Sequence, residues 1–173
     1  MKTWKTWVVA AGLMVSAVST AQAALVRLGD GTVQDTTSNL IWLQDWNVNG
    51  LASWDAQKAW AEGLEFAGST DWRLPEVDEY VSLFASYGDL TNLAEFNNVQ
   101  SAFYWSGTEF SSTFSLVFRT RDGLNGALGK INSLSAVAVR SGAVTSPVPE
   151  PQSLALVLLA LGATVLARRK RLP

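Results

Sequence analysis

Asp71-Trp72-Arg73-Leu74-Pro75 is the stretch that decides the fold of this 173-residue chain. Its proline keeps the preceding leucine extended and starts a helix, which we predict to end near Tyr87. Ser53 is a suitable N-cap for an earlier helix over residues 54–67. Segments with the alternation and turn residues of strands lie on both sides of this helical region. The order of strands, two helices and strands predicts an α+β fold with an antiparallel sheet.

The residue patterns also predict strand positions and buried helix faces. The predicted strands cover residues 24–28, 32–34, 40–43, 103–108, 114–119 and 135–140. Helical spacing predicts the core-facing residues of the first helix to be Ala56, Trp60, Leu64 and Ala67. The same spacing predicts those of the second helix to be Val77, Tyr80, Val81 and Phe84. Asp122-Gly123 and Asn125-Gly126 are hairpin-turn signals between the last strands.

The N-terminal segment has the pattern of a secretory signal peptide over residues 1–23. Lys2 and Lys5 precede an apolar stretch at 7–18, and Ala21-Gln22-Ala23 fits the small-x-small cleavage pattern. A core helix or a membrane span is the alternative, but a span needs about 20 apolar residues. We therefore expect signal peptidase to cut between Ala23 and Ala24, and the protein to cross the inner membrane.

The C-terminal segment combines a proline-rich break, an apolar run and a basic end. Residues 142–152 form a linker that contains Pro149, Glu150 and Pro151, and an apolar helix is predicted within residues 153–173. The run ends in four cations, Arg168, Arg169, Lys170 and Arg171, which favour the cytoplasmic side of a membrane. A helix over the apolar residues would be roughly 21 Å long, against about 30 Å of hydrocarbon. We therefore expect a transient transmembrane anchor rather than a permanent one.

Composition restricts the chemistry of the central domain over residues 24–141. The chain has no Cys and no His, so neither disulfides nor Ser-His-Asp and Cys-His catalysis can occur within it. Of its 13 basic and 15 acidic residues, six basic residues and one acidic residue lie in the terminal segments. The domain keeps seven basic and 14 acidic residues, a net charge of −7, which disfavours nucleic acid as a partner. We expect no enzymatic activity, with a carboxylate-dependent glycan-active enzyme as the weak alternative.

Three residues of the specific motifs are candidates for glycan binding. Trp72 and Arg73 would line a ligand groove, or else form a structural latch in which Trp72 is buried and Arg73 pairs with a carboxylate. Strand alternation sends Tyr104 and Trp105 to opposite faces. We expect Trp105 in the core and Tyr104 at the surface.

Asp45, Asn47 and Asn49 are candidate calcium ligands. Followed by Gly50, they match the first half of an EF-hand loop, with oxygen ligands at alternate positions and a glycine at the turn. The bidentate Glu expected at the twelfth position is replaced by Ala56. The alternative is a polar loop held by Asx turns.

Two families resemble parts of this sequence. Val148-Pro149-Glu150-Pro151, the apolar run and the basic end resemble the PEP-CTERM sorting signal. This resemblance implies that an exosortase, a membrane protease-transpeptidase, removes the tail of a protein associated with exopolysaccharide and biofilm matrix. The central domain resembles the C-terminal domain family of the Legionella collagen-like adhesin. The motifs that carry it are 40–45, 54–57, 71–75, Tyr104-Trp105-Ser106-Gly107-Thr108 and Ala138-Val139-Arg140.

The second resemblance implies a C-type-lectin-like fold and a role in adhesion. This chain lacks two Cys residues that many relatives carry, and it has Glu76 where Thr is common. We expect an exported, exosortase-processed protein of the cell surface or extracellular matrix with a non-enzymatic interaction domain. The alternative is a polysaccharide-binding adhesin, with or without assistance from calcium.

Overall fold

The structure is a computed structural model that describes residues 24–142. The predicted signal peptide, most of the linker and the sorting helix lie outside the described residues. Within them, two helices and two antiparallel sheets are present, so the α+β prediction is confirmed. The elements are β1 (Leu25–Arg27), β2 (Thr32–Asp35), β3 (Leu40–Leu43), α1 (Trp54–Glu62), α2 (Val77–Tyr87), a 3₁₀ turn (Leu90–Asn92), β4 (Phe103–Glu109), β5 (Phe114–Arg119), β6 (Asn125–Gly129) and β7 (Val139–Ser141).

The strands form two sheets where the sequence suggested one. The first sheet has the order β1-β2-β3-β7 and the second has the order β4-β5-β6, with every neighbouring pair antiparallel. The segment between β6 and β7 connects them, because Ser135 bridges Tyr104 of β4 before the chain enters β7. Asn125-Gly126 lies inside β6, so its prediction as a turn is wrong. The turn is at Asp122-Gly123, where Gly123 has a φ of +74°.

Aromatic side chains fill the space between the sheets and α2. Trp42 of β3 stacks on Trp46, with ring centroids 5.7 Å apart and planes 11° apart. Tyr80 of α2 stacks in turn on Phe118 of β5 at 5.2 Å. All four rings are fully buried. Large apolar rings remove much surface from water, which explains how a domain without disulfides holds together.

The buried faces of the helices differ from the predicted ones. Helix α1 ends at Glu62, and its buried residues are Trp54, Gln57 and Ala61, whereas the predicted Ala56 is exposed. Trp54 fixes the rotation of the helix because its indole Nε1 donates to the Ser106 carbonyl at 2.8 Å. The predicted N-cap is confirmed, since the Ser53 hydroxyl accepts from the Ala56 amide.

Helix α2 and strand β5 show the same kind of difference. Helix α2 buries Val77, Tyr80 and Leu83, while Val81 is exposed. In β5, Val117 and Phe118 are both buried, because the strand is covered on both faces. A single amphipathic pattern therefore could not identify the inward side.

The motif at residues 71–75 forms a latch between the helices and β7. Arg73 exchanges two backbone hydrogen bonds with Val139, at 2.9 and 2.8 Å. Its guanidinium makes a bidentate pair with Glu79, at 2.7 and 2.6 Å, and this pairing raises the pKa of Arg73. Glu79 also accepts from the amide of Glu76, which caps α2. The motif thus starts α2 and fixes it to the first sheet.

Candidate functional site

An open cleft of about 230 Å³ lies at one end of the first sheet. We call it the Phe66 cleft. Its lining is mainly apolar. The lining residues are Gly31, Leu43, Gln44, Asp45, Val48, Leu64, Phe66 and Asn97.

One wall is the ring of Phe66, which a tight turn after α1 positions. Phe66 and Ser69 exchange two backbone hydrogen bonds of 3.0 Å. Between them, Ala67 and Gly68 have φ values of +49° and +70°, the signature of a type I′ turn. The Trp72 indole donates to the Phe66 carbonyl at 3.2 Å, and the two rings meet edge to face at 6.2 Å. The Phe66 side chain is held in place and still 37% exposed.

Gly31 allows the tip of this ring to approach the β1–β2 turn closely. A Cβ atom at Gly31 would stand only 2.7 Å from Cζ of Phe66, and Gly31 has a φ of +86°. Both facts make glycine necessary at this position. The Gly31 carbonyl also accepts from the Gln44 amide at 2.9 Å. The turn that contacts the Phe66 ring is therefore hydrogen-bonded to Gln44, which also lines the cleft.

The opposite wall is the loop after β3, which contains Val48. Its start is paired with a second loop, because the Asn97 amide donates to Gln44 and the Trp46 amide donates to Asn97, at 2.7 and 3.0 Å. Asp45 strengthens this junction by accepting from the side-chain amide of Asn98 at 2.8 Å. Val48 is 57% exposed and faces the cleft from this supported loop.

Gln57 of α1 holds the far end of the same loop. Its side chain is completely buried. Its Nε2 donates to the carbonyls of Gly50 and Leu134, both at 2.9 Å, and its Oε1 accepts from Asn49 at 2.9 Å. Three hydrogen bonds satisfy a polar group inside the domain and attach the loop to the core.

Three polar residues, Gln44, Asp45 and Asn97, are among those that line the cleft. The side-chain amides of Gln44 and Asn97 make no hydrogen bond to any other residue within 24–142. Each amide can both donate and accept. Asp45 is the only carboxylate that lines the cleft in this part of the chain. The arrangement is suited to holding an uncharged ligand by contact and hydrogen bonds.

The structure places the three predicted glycan-binding residues away from the cleft opening. Trp72 is 2% exposed and lies behind Phe66. Tyr104 is fully buried, so the prediction that it lies at the surface is wrong. Burial raises the pKa of Tyr104, whose ring packs against Trp46 at 5.5 Å. Tyr104 is enclosed because β4 has buried residues on both of its faces. Arg73 is fixed to Glu79, as the latch alternative predicts.

The candidate calcium residues hold their own loop together. Asp45 accepts from the Asn47 amide at 2.9 Å and also from Asn98, so both of its oxygens have partners. The amide of Asn49 is turned toward Gln57. These hydrogen bonds are the ones expected of a polar loop held by Asx turns, which was the alternative to a calcium site. Calcium binding stays a prediction. Within residues 24–142, no group of three or more acidic residues is arranged to hold a metal ion.

Both ends of the described domain leave it at the end opposite the cleft. In the β2–β3 hairpin, Thr32 pairs with Leu43 near the cleft, and Asp35 pairs with Leu40 at the other end. At that other end, the carbonyl of Ala24 accepts from Thr36 at 3.0 Å. There the amide of Gly142 also donates to Asn39 at 2.8 Å. The chain therefore enters and leaves beside the turn that lies farthest along this sheet from the cleft.

The fold and the site together define a small α+β domain with a loop-built surface cleft. Residues 31–140 match the family of the Lcl C-terminal domain, and the chain belongs to this family. Residues 147–171 match the PEP-CTERM protein-sorting motif, and this span contains the predicted sorting residues, from Pro149 to Arg171. A search of the curated proteins found no match.

The sorting motif has consequences for location. It implies export and transient anchoring in the membrane for sorting by an exosortase. Among residues 24–142, neither helix has the length and apolar character needed to cross a bilayer. The predicted anchor belongs to the segment after them.

Proposed function

We propose that this chain is an exported, exosortase-processed protein of the cell surface or biofilm matrix. Its domain acts as a non-enzymatic interaction module with a C-type-lectin-like arrangement. The observation that carries the proposal is the position of the Phe66 cleft, at the end of the sheet opposite both exits of the chain. An anchored domain with this geometry presents the cleft away from the membrane.

The length of the connection supports this orientation. Ten residues, 143–152, separate Gly142 from the predicted sorting helix. Even fully extended, they span at most about 36 Å. The exit end of the domain therefore stays close to the membrane while the tail is inserted, and the cleft end faces outward.

The chemistry of the cleft supports binding rather than catalysis. A glycoside hydrolase needs two carboxylates across the scissile bond, and Asp45 is the only one lining the cleft within residues 24–142. The chain also has no His or Cys to act as base or nucleophile. A polysaccharide-binding adhesin is the second candidate, favoured by the half-exposed ring of Phe66 in a cleft that Gln44 and Asn97 also line.

Site-directed labelling tests the orientation, because the chain has no Cys of its own. Val48→Cys would report on the cleft end and Thr37→Cys on the exit end, and both positions are exposed. In spheroplasts that hold the anchored form, we expect a bulky maleimide to modify Val48→Cys faster. After release from the membrane, the two rates should become similar. Equal rates in the anchored form would contradict the proposed orientation.

Tail processing is tested separately. Replacing Pro149, Glu150 and Pro151 together by Ala should prevent removal of the tail, so that the full-length form accumulates in the membrane fraction. Replacing Ser146 by Ala, just before the motif, is the matched control and should leave processing normal. Unchanged processing in the triple variant would refute sorting by an exosortase.

A further inference from the structure

Strand β6 forms an open edge of the second sheet, and we infer that it pairs antiparallel with β6 of a second copy of this chain. No residue of β6 lines the Phe66 cleft, so this surface is separate from the one proposed above for interaction. Its partner follows from the edges that the sheets leave open, the groups exposed along β6, and the charge around it.

Within residues 24–142, β6 is the longest sheet edge that no other segment covers. The latch around Arg73 covers the outer edge of β7, and Ser135 bridges the outer edge of β4. Strand β1 has only three residues, and the Arg27 side chain within it donates to the carbonyls of Ala94 and Glu95. Strand β6 has five residues and contains neither a charge nor a proline, the devices that usually protect a free edge.

The register of the second sheet directs backbone groups of β6 away from β5. The Lys130 amide donates to Thr113 at 3.0 Å, and the Arg119 amide donates to Leu124 at 2.7 Å. Hydrogen-bonded positions alternate along an antiparallel pair. The residues whose backbone groups point outward are therefore Asn125, Ala127 and Gly129. Asn125 and Ala127 are exposed, so a partner strand has free access to this edge.

Strand β6 is complementary to itself. A two-fold axis beside Ala127 places this residue opposite its counterpart in the second copy, and it places Asn125 opposite Gly129. The outward amides and carbonyls then form about four main-chain hydrogen bonds between the copies. Leu124 and Ile131, which are 50% and 90% exposed, flank the two ends of the strand. Antiparallel pairing therefore brings Leu124 of each copy toward Ile131 of the other.

The charge around β6 allows two acidic domains to meet there. Residues 103–132 contain three basic and two acidic residues, a net charge of +1, whereas the whole domain has −7. Both acidic residues are paired with a cation, Glu109 with Lys130 and Asp122 with Arg119. The negative excess thus lies elsewhere in the domain, and repulsion between two copies is weakest when they approach through the second sheet.

Cysteine cross-linking tests the pairing and its register on the full chain in a mild detergent, because the chain has no Cys of its own. In Ala127→Cys, the Cα atoms of the two copies would lie about 5.5 Å apart, a separation that a disulfide spans. We expect oxidation with copper–phenanthroline to give a covalent dimer. Asn125→Cys is the matched control on the same exposed edge. Its two copies would lie about 14 Å apart along the strands, too far for a disulfide.

Sedimentation in density-matched detergent tests association without a cross-link. The unmodified chain should show a mass that rises from one copy toward two as its concentration increases. Ala127→Lys places two like charges directly opposite each other, and it should stay monomeric although it lowers the net negative charge. Ala127→Ser keeps a small neutral side chain and should associate like the unmodified chain. Both substitutions lie at an exposed position and should leave Tm unchanged.

Four results would overturn the inference. They are no dimer from Ala127→Cys, equal cross-linking of Asn125→Cys, a dimer that persists in Ala127→Lys, and a cross-linked product of another mass when Ala127→Cys is oxidised in membranes of the producing cells. The third result would point to association through the C-terminal tail, and the fourth to a different protein on the edge. None of them affects the proposed interaction role, because the labelling and processing tests use other residues.

Discussion

Replacing Gln57 by Leu should destabilise the domain strongly, although the two side chains have similar size. Gln57 is fully buried and makes three side-chain hydrogen bonds, to Asn49, Gly50 and Leu134. Leucine would fill the space but satisfy none of these partners. The loop that carries Val48 would lose its attachment to α1.

The expected loss of stability follows from how well the three hydrogen-bond partners of Gln57 can be satisfied without it. The Leu134 carbonyl keeps a hydrogen bond from the Ala52 amide at 3.1 Å, and Asn49 is exposed enough to turn to water. Gly50 loses its side-chain donor in a half-buried position. With about 0.5–1.5 kcal/mol for each of the two hydrogen bonds lost by Leu134 and Asn49 and about 1–3 kcal/mol for the Gly50 carbonyl left unsatisfied, the sum is about 2–6 kcal/mol. Domains of this size have about 5–15 kcal/mol in total, so the change is large.

Thermal unfolding of the full chain, followed by tryptophan fluorescence, measures the effect. We expect Tm to fall by about 8–24 °C, at about 4 °C per kcal/mol. Ala56→Leu is the control, because it adds the same side chain at an exposed neighbouring position of α1 and should change stability by less than about 0.5 kcal/mol. If Gln57→Leu matched that control, the buried amide would not hold the loop and the reasoning would fail.

Three further predictions concern pH, a turn and calcium. The folded protein lowers the pKa of the Asp71 and Glu109 carboxyls through hydrogen bonds from Ser69 and Lys130, and burial raises the pKa of Tyr80. Unfolding measured by urea should therefore show constant stability from about pH 5 to 9, a decrease as the pH falls below the ordinary carboxyl values, and a decrease above about pH 10. Replacing Ala67 by Asn, which tolerates its positive φ of +49°, should raise stability by about 0.5–1 kcal/mol, and a lower urea midpoint would contradict the turn assignment. Millimolar calcium should leave the urea midpoint unchanged because both carboxylate oxygens of Asp45 already have partners. A clear increase in the urea midpoint would instead support calcium binding by this loop.

Local chemistry was sufficient to predict where the two helices start and how the latch is paired. Pro75 determined where α2 could start, and Ser53 marked the start of α1 through its cap. The carboxylates near Arg73 predicted its pairing, which the structure shows with Glu79. These features depend on residues close in sequence, whose backbone preferences act before any tertiary contact.

The buried side of α1 required information from distant residues. Ala56, Trp60, Leu64 and Ala67 have helical spacing, but the helix instead buries the face with Trp54 and Gln57. The deciding contacts are made with Ser106 and Leu134, about 50 or more residues away. A polar residue at the centre of the buried face also has no signature in hydrophobic periodicity.

The cleft could not be predicted from the sequence either, since its lining residues come from four separate turns and loops. Phe66 lies beyond the end of α1, in a segment predicted to be helical, where Ala67 and Gly68 turn the chain back. Neither residue is part of the Asn-Gly or Asp-Gly pairs that predict such turns. Val48 and Asn97 reach the same cleft only because the loops at 44–46 and 97 pair with each other.

The family motif and the cleft are built from different residues. This explains why the sequence identifies the family but does not identify a ligand. The motif residues Trp72, Arg73, Tyr104 and Trp105 are buried or held in the latch, so they determine how the elements pack. The cleft is built from turns that the packed elements position, which is where binding groups are commonly found. The motif therefore specifies a scaffold with its chain exits at one end, and the proposed interaction would depend on the side chains at the other end. For this chain those side chains form a small, mainly apolar cleft beside Phe66.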